Sequence, residues 1–259
     1  MIPTATYTPS LTPSPVSTLS GPYAVILVAS NDALNIRSGP GVSYPVTGTF
    51  AYNEKNVMRT GPASTISGTL WYQVRHPLGG TGWVNANYLT EYTQPVTFCS
   101  DTHIQPLLNQ LKQAMTASDG NLFASLVSPN HGVDVRYWHS GYTVNYTSTQ
   151  AAGVFTSTTQ QNWGAGPSGE NTIGSFANVV QPKLLDVLNI AYELYCNDPH
   201  VATMFSEPWP AVYTNFNYYS VFKPGTPGID LDYRQWMIGF EYVRGLPYFA
   251  SMIHIVWEP

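Results

Sequence analysis

Charged residues are scarce in this chain of 259 residues, and their scarcity excludes several classes of protein. Lys and Arg together number 10 and Asp and Glu 15, only 10% of the sequence, against about a quarter in ordinary globular proteins. With a formal net charge of −5, the chain has few cations to neutralise a run of phosphates, so we expect no nucleic-acid partner. No apolar run reaches the roughly 18 residues that a membrane-spanning helix needs, so we expect no transmembrane segment.

Apolar residues, in contrast, are abundant enough to form hydrophobic cores. Hydrophobic types make up 43% of the sequence and aromatic types 14%, which excludes disorder throughout the chain. Thr, Ser, Asn and Tyr take the place of charged residues, a composition that is commoner in secreted proteins than in cytosolic ones. The length allows two small domains. We therefore expect an extracellular protein with more than one domain.

Residues 1–20 form a Thr/Pro/Ser-rich segment that contains no charged residue. Proline restricts the backbone and removes hydrogen-bond donors, so we expect a disordered stalk. The segment lacks the charged start and apolar middle of a signal peptide. It resembles the Thr/Pro-rich stalks of bacterial surface lipoproteins, which implies export and a lipid anchor upstream of residue 1. A plain linker and an O-glycosylated stalk remain as alternatives.

The sequence contains two cysteines, Cys99 and Cys196. In an exported protein, two cysteines most simply form one disulfide bond. The alternative is a nucleophilic thiol with a nearby base. No helix begins after Cys196 that would lower the pKa of its thiol, so the disulfide is favoured over the nucleophile.

Residues 21–92 contain short apolar runs separated by Gly and Pro turns, a pattern typical of a small all-β barrel. The runs Leu34–Gly41, Ser43–Val46, Trp71–Val74 and Gly82–Val84, with Tyr88 and Leu89, resemble the bacterial SH3 domain in order and spacing. A polar insertion, Gly61–Thr69, departs from the family and is expected to be an extended hairpin tip. The inward positions of this barrel are predicted to be Ile36, Val46, Val57, Val74 and Val84.

The resemblance to bacterial SH3 domains implies binding of cell-wall peptidoglycan or its peptide stems in a shallow groove. Many members of the family, however, are spacers or bind proteins. Aromatic faces suit such ligands because they bury area at low entropic cost. The groove residues are predicted to be Asn35, Tyr44, Tyr72, Trp83 and Tyr88.

Residues 97–259 change in character, and helical periodicity appears first. Apolar residues from Ile104 to Met115 recur on one helical face, Asp119 is placed to cap a helix over 121–127, and a third helix is expected over 175–188, broken or kinked at Pro182. Strand-like runs then follow to the end, closing in a hairpin through residues 244–247. We therefore predict an α+β domain with helices packed on one face of a curved antiparallel sheet.

This second part also resembles a little-characterised domain of bacterial secreted proteins and lipoproteins. The residues that carry the resemblance are Leu126–Val133, Trp163-Gly164, Ser168-Gly169, Tyr233–Trp236 and His254–Trp257. The closing hairpin is similar to the last strands of nuclear-transport-factor-like folds, which implies a pocket between helices and sheet. The resemblance implies no known activity.

Most motif-like features of the second part are expected to be structural. Residues 164–169 spell GxGxxG, but polar residues precede the motif and Pro167 lies within it, so we expect a turn rather than a nucleotide site. Asp230 and Asp232 are expected to lie in a solvated loop, with calcium binding as the alternative. The histidines show no metal-ligand spacing. The sequence therefore predicts no cofactor and no metal.

A His–Glu pair is the one candidate for acid–base chemistry. His254 is predicted to share a strand face with Tyr248, Ala250, Met252 and Val256, next to Glu241 on the neighbouring strand. A buried polar pair that only satisfies itself is the favoured alternative. Asp134, Arg136 and Trp138 alternate onto one face and are expected to line the same pocket.

Two functions remain open at this point. The first is a non-catalytic surface protein in which the SH3-like domain binds cell wall and the α+β domain is a ligand-binding or structural module. The second is a cell-wall hydrolase that the SH3-like domain targets, with His254 and Glu241 as its catalytic residues. The absence of strong catalytic motifs favours the first function.

Overall fold

The computed structural model describes residues 22–166, 168–229 and 232–256, and the predicted stalk at residues 1–20 lies outside them. The described residues form three β-sheets and five α-helices. The helices are α1 Pro95–Cys99, α2 Ile104–Ala117, α3 Gly120–Leu126, α4 Ser148–Ala151 and α5 Phe176–Leu188. The strands are β1 Tyr23–Val25, β2 Ala33–Arg37, β3 Val46–Ala51, β4 Arg59–Ile66, β5 Thr69–Arg75, β6 Thr81–Asn85, β7 Leu89–Glu91, β8 Val133–Arg136, β9 Val144–Tyr146, β10 Gln161–Ala165, β11 Asn171–Gly174, β12 Glu193–Cys196, β13 Asn217–Lys223, β14 Arg234–Val243 and β15 Leu246–Val256.

The small sheet has five strands in the order β3-β2-β6-β5-β4. Four of the five predicted inward positions are buried in its core, namely Ile36, Val57, Val74 and Val84. Val46 is 48% exposed and is the exception. Val46 pairs with Arg37, and the register between β2 and β3 shifts between Ile36 and Arg37. The alternation of inward and outward side chains is therefore interrupted at Val46.

The predicted hairpin tip at Gly61–Thr69 is present. It lies mostly in β4, which pairs with β5 through a two-residue turn at Ser67 and Gly68. Both turn residues have positive φ, 50° and 79°, as a type I′ hairpin requires, and glycine adopts such a backbone without strain.

The large sheet has eight strands, and the C-terminal strands form the predicted meander. Strands β12, β13, β14 and β15 pair as antiparallel neighbours in sequence order. Beyond β15 the order continues to β8 and β9. The β15–β8 pair is parallel, so the large sheet is mixed rather than purely antiparallel, as a long connection from β8 to β15 permits.

The three predicted helices are present, with one difference. The Asp119 side chain caps α3 by accepting a hydrogen bond of 2.9 Å from the Leu122 amide. Helix α5 runs unbroken from Phe176 to Leu188 with Pro182 inside it, so the expected break is absent. Buried Val180, Leu184 and Val187 on either side of the proline pack in the core and hold the helix to the sheet.

Each face of the large sheet is covered by a separate apolar cluster. The helix-covered face packs α2, α3 and α5 against β8, β14 and β15. The opposite face is covered by the segment over residues 200–216 and by Ile26, which follows β1. The space between helices and sheet is filled by side chains such as Phe98, Phe123 and Trp163, all of them fully buried.

The N-terminal segment (residues 22–92) is joined to the large sheet by its two terminal strands. Strands β1 and β7 pair with each other, and Glu91 of β7 pairs with Tyr242 of β14. The Asn215 side chain donates to the Val25 and Glu54 carbonyls at 2.7 and 3.1 Å. The predicted domain limits at residues 92 and 97 remain a prediction, because the large sheet takes strands from both sides of them.

The predicted disulfide is present between Cys99 at the end of α1 and Cys196 at the end of β12, with 5.8 Å between the Cα atoms. The described residues contain no free cysteine, so the alternative of a nucleophilic thiol is excluded there. The bond closes a loop of 97 residues within the second part of the chain.

Candidate functional site

A β-bulge separates the two residues of the expected His254–Glu241 couple. The β14–β15 register shifts between Gly239 and Phe240, so Ala250 has no partner. Met252 lies on the helix-covered face, whereas Ala250 lies on the opposite face. The bulge therefore reverses the alternation of faces along β15 at Ala250. Glu241, which pairs with Tyr248 on one side of the bulge, lies on the opposite face of the sheet from His254 on the other side. This corrects the predicted shared face.

His254 is buried in the helix-covered core, and no carboxylate of the described residues forms a hydrogen bond or ion pair with it. Its Nδ1 donates to the Tyr137 carbonyl oxygen at 3.3 Å, and its ring stacks on Trp236 with 4.8 Å between ring centroids. Nε2 is buried and has no hydrogen-bond partner among the described residues. Burial lowers the pKa of His254 to about 3, because the charged form cannot be solvated, and the Tyr137 carbonyl opposes this only in part. The ring is therefore neutral at physiological pH and closed to solvent.

Glu241 instead lies between Ser128 and His131, which were not predicted as its partners. The Ser128 hydroxyl donates a short hydrogen bond to the Glu241 carboxylate, and Nδ1 of His131 donates to both carboxylate oxygens at 2.8 Å. The Glu241 side chain is 0% exposed and that of His131 8%. Since a buried carboxylate needs partners, this pair explains how strand β14 accommodates an acidic residue.

The loop that carries Ser128 and His131 is fixed by its backbone. The Asn130 and His131 amides donate to the Ser128 hydroxyl at 3.2 and 3.1 Å. Gly132 follows at φ 74°, and a Cβ there would come within 2.4 Å of the Tyr146 carbonyl oxygen. Glycine is therefore required to turn the chain from His131 into β8.

Glu241 and His131 line a cleft of about 1240 Å³ between the N-terminal segment and the large sheet, which we call the junction cleft. It is lined on one side by residues of the segment, including Tyr23, Arg59, Tyr72, Thr90 and Glu91, and on the other by residues 129–131, 241–246 and 248. Nδ1 of His131 is held by the carboxylate, and among the described residues its Nε2 has no hydrogen-bond partner. Because Nδ1 carries the proton, Nε2 of the neutral ring can accept a hydrogen bond from a molecule in the cleft.

The N-terminal wall of the cleft is aromatic and cationic. The Arg59 guanidinium carbon lies 4.1 Å from the Tyr72 ring centroid, and Tyr72 packs against Tyr23 at 5.6 Å. Burial raises the pKa of Tyr72, and the carboxylates of Glu91 and Glu241 add to the rise while Arg59 opposes it. Charged residues on both walls of the cleft therefore affect the pKa of the Tyr72 hydroxyl.

The opposite wall carries Arg244 in the β14–β15 turn. The Glu91 carboxylate accepts hydrogen bonds of 2.9 and 2.8 Å from the backbone amides of Arg244 and Gly245. Glu91 therefore holds the turn by its backbone and leaves the Arg244 side chain exposed. Among the described residues, no carboxylate forms an ion pair with either Arg59 or Arg244.

Among the predicted SH3 groove residues, Tyr72 lies on a different face of the small sheet from Asn35 and Trp83. Asn35 and Trp83 lie on the outer face of the adjacent strands β2 and β6. Tyr44 is 45% exposed in the loop after β2, where Arg37 donates to its carbonyl at 2.8 Å, and Tyr88 is 38% exposed. Tyr72 is turned toward the barrel core and the junction cleft instead.

The residues predicted beside His254 are also divided between two faces. The Asp134 carboxylate accepts from the buried Tyr213 hydroxyl at 2.8 Å, and the Arg136 guanidinium lies 5.4 Å from the same ring. Trp138 lies beyond the end of β8 and packs against the helix-covered core, with its indole donating to Thr172 at 2.9 Å. Strand alternation stops at Arg136, which is why these three residues do not share a pocket.

The described residues contain no group of three or more His, Cys, Asp or Glu side chains placed to hold a metal ion. Asp232 accepts hydrogen bonds from the Thr226 amide and hydroxyl, both at 2.6 Å, in the expected loop, and Asp230 lies outside the described residues. The GxGxxG motif is the turn of the β10–β11 hairpin, where the Gly169 amide donates to the Gly166 carbonyl at 2.9 Å. Pro167 lies outside the described residues.

Sequence reasoning missed His131, Ser128 and Arg59 as site residues. One signal was present, since Glu241 interrupts an apolar strand and a buried carboxylate demands a donor. The donors lie 110 and 113 positions away in sequence, so strand pattern alone could not identify them.

Residues 32–90 match the family model of the bacterial SH3 domain. This confirms the assignment made from Leu34–Gly41 and the motifs that follow it, and places a domain that commonly binds cell wall at the N-terminal end of the described structure. A comparison with curated proteins gave no match for the chain. No described helix is long and apolar enough to cross a membrane.

Proposed function

We propose that this chain is an exported bacterial cell-surface protein whose SH3 domain binds peptidoglycan. The second part, residues 97–259, is a non-catalytic ligand-binding or structural module that the SH3 domain holds at the wall. In this proposal the stalk at residues 1–20 connects the protein to a lipid anchor upstream.

The observation that carries the proposal is the bacterial SH3 domain at residues 32–90. The Cys99–Cys196 disulfide is consistent with an oxidising compartment outside the cytoplasm. Exposed Tyr44, Tyr88 and partly exposed Trp83 offer aromatic surface for a sugar or peptide ligand.

Co-sedimentation of the whole chain with purified insoluble peptidoglycan tests this proposal. We expect the protein to sediment with the wall, and Trp83→Ala with Tyr44→Ala to reduce the bound fraction. Tyr142→Ala is the matched control, because Tyr142 is 59% exposed but lies in the second part. Absence of the wild-type chain from the pellet would contradict the proposal.

The second candidate function is a cell-wall hydrolase, and one observation favours it. A histidine held by a buried carboxylate, with its other nitrogen directed away from that carboxylate, has the arrangement of a general base. Soluble fragments released from purified wall by the wild-type chain but not by His131→Ala would establish it. An inert wild-type chain would leave the non-catalytic function.

A further inference from the structure

We propose that the junction cleft binds a peptide that carries carboxylate groups, with Arg59 and Arg244 as its anchors. The site belongs to neither part of the chain alone, since Arg59 comes from β4 and Arg244 from the β14–β15 turn. This inference rests on the proposed function for the identity of the peptide, which is the stem peptide of the wall.

The first argument is the balance of charge in the cleft. Both carboxylates already have partners, since Glu91 accepts two backbone amides and Glu241 accepts from Ser128 and His131. Neither guanidinium has a carboxylate partner among the described residues. Arg244 is therefore available to an incoming carboxylate, and arginine binds carboxylates through paired hydrogen bonds. Arg59 supplies a second positive charge, although its Nη2 also donates a long hydrogen bond of 3.5 Å to the Gly61 carbonyl.

The second argument is the presence of polar atoms that the fold leaves unsatisfied. Nε of Arg59 and Oγ1 of Thr90 are buried without a hydrogen-bond partner among the described residues, and both residues line the cleft. Thr90 is only 3% exposed. Buried polar atoms without partners are rare in folded proteins, and both atoms are closed to solvent here, so a ligand supplies the missing partners only when the two side chains turn toward the cleft.

The third argument is the size and lining of the cleft. Its volume of about 1240 Å³ exceeds the range of about 300–1,000 Å³ that is usual for small-molecule pockets. Tyr23, Tyr72 and Tyr248 supply aromatic surface along it. A peptide of several residues matches this space, and its apolar groups match the rings.

A peptide fits better than an anionic phosphate polymer. The carboxylates of Glu91 and Glu241 would repel a polymer that carries only negative charge. A peptide that has both carboxylates and a free amine can pair its carboxylates with Arg59 and Arg244 and place its amine near Glu91 and Glu241.

Isothermal titration calorimetry of the whole chain provides the test. The ligand is a synthetic tetrapeptide with two carboxylates and one free amine, and its matched control is the same peptide with both carboxylates converted to amides. We expect the affinity of the amide form to be lower than that of the carboxylate form by about tenfold or more. We expect Arg244→Gln to lower the affinity for the carboxylate form about tenfold. Arg75→Gln is the control variant, since Arg75 is exposed and does not line the cleft, and its affinity should stay within about twofold of wild type.

The outcomes separate this inference from the proposed function. Tetrapeptide binding that Arg244→Gln weakens supports the inference even if the wild-type chain fails to sediment with insoluble wall. Wall sedimentation without tetrapeptide binding, or tetrapeptide binding that Arg244→Gln leaves unchanged, overturns the inference and leaves wall binding by the SH3 surface intact. Tighter binding of inorganic polyphosphate than of the tetrapeptide also overturns it.

Discussion

Two histidines mark the difference between two regions of this protein. On the helix-covered face of the large sheet, His254 is buried against Trp236, is paired with no carboxylate in the described part of the chain, and is kept neutral. At the junction with the N-terminal segment, His131 is held by the buried carboxylate of Glu241 and borders a cleft of about 1240 Å³. In the first region the polar ring of His254 is packed in the core, whereas in the second region His131 and Glu241 lie beside an open cleft.

This difference shows where a ligand can be accommodated. The nuclear-transport-factor-like resemblance implied a pocket between helices and sheet, but Phe98, Phe123 and Trp163 fill that space. The cleft with available charge lies where the N-terminal segment meets the end of the sheet. The helix-covered region is therefore filled by buried side chains, whereas the junction leaves an open cleft.

The largest effect that we predict concerns the disulfide of the helix-covered region. Replacing both Cys99 and Cys196 by Ser should lower the free energy of unfolding by about 4–5 kcal/mol, because a closed loop of 97 residues no longer restricts the unfolded chain. Urea denaturation followed by circular dichroism measures the loss. Hydrogen exchange should show reduced protection in α2 and α5 and unchanged protection in β5. An equal loss of hydrogen-exchange protection in α2, α5 and β5 would contradict this comparison, because it would mean that the two regions unfold as one unit.

The next largest effect compares a core residue with a cleft residue. Phe123→Ala should cost about 3–5 kcal/mol of unfolding free energy, because Phe123 is fully buried against Phe155 and Phe176. Leu246→Ala should cost no more than about 0.5 kcal/mol, because Leu246 lines the cleft and is 48% exposed. Similar losses from the two variants in urea denaturation would contradict the division between core and cleft.

A third prediction concerns acid sensitivity through His254. The folded-state pKa is about 3 and that of an unfolded histidine about 6.5, so the unfolded chain binds the extra proton as pH falls between these values. Stability is therefore complete above about pH 6.5 and declines below it, by about 2 kcal/mol at pH 5 from this group.

Urea denaturation at pH 7.5 and pH 5 measures this effect in the wild type and in His254→Gln. The variant should lose about 2 kcal/mol less than the wild type over that interval. His139, whose pKa is also lowered, chiefly by burial, contributes a loss of the same sign in both proteins, so the difference isolates His254. An identical pH dependence in the two proteins would refute the neutral assignment.

The smallest effect should come from the carboxylate of the junction. Glu241→Gln keeps the size of the side chain but removes its charge and replaces one of its two acceptor oxygens by an amide donor, so the hydrogen bonds from Ser128 and His131 weaken and we expect a loss of about 1–2 kcal/mol. Thermal unfolding measures the loss, and the ¹⁵N resonances of the His131 ring should shift. An unshifted ring resonance would show that the carboxylate does not hold His131 in solution.

Local features of the fold were predictable from the sequence because nearby residues determine them. The apolar period from Ile104 to Met115 gives α2, Asp119 caps α3, and Ser67-Gly68 turns the β4–β5 hairpin. The disulfide was predictable because the sequence offers a single pairing of its two cysteines.

The site depends on features that no local pattern encodes. A single unpaired residue, Ala250, reverses the face of β15 and separates His254 from Glu241. The partners of Glu241 come from a loop 110 and 113 residues away, and the opposite wall of the cleft comes from β4, β5 and β7. Tertiary assembly, rather than alternation along a strand, thus determines which side chains meet.

The attachment of both terminal strands of the N-terminal segment has a mechanical consequence. Strand β1 pairs with β7, Glu91 of β7 pairs with Tyr242, and the Asn217 amide group donates to the Thr93 carbonyl just beyond. The chain therefore enters and leaves the SH3 domain through hydrogen-bonded backbone rather than through a swivelling tether. A polymer that grips the SH3 surface would set the tilt of the entire molecule, and tension along that polymer would pass directly into the central strands of the large sheet.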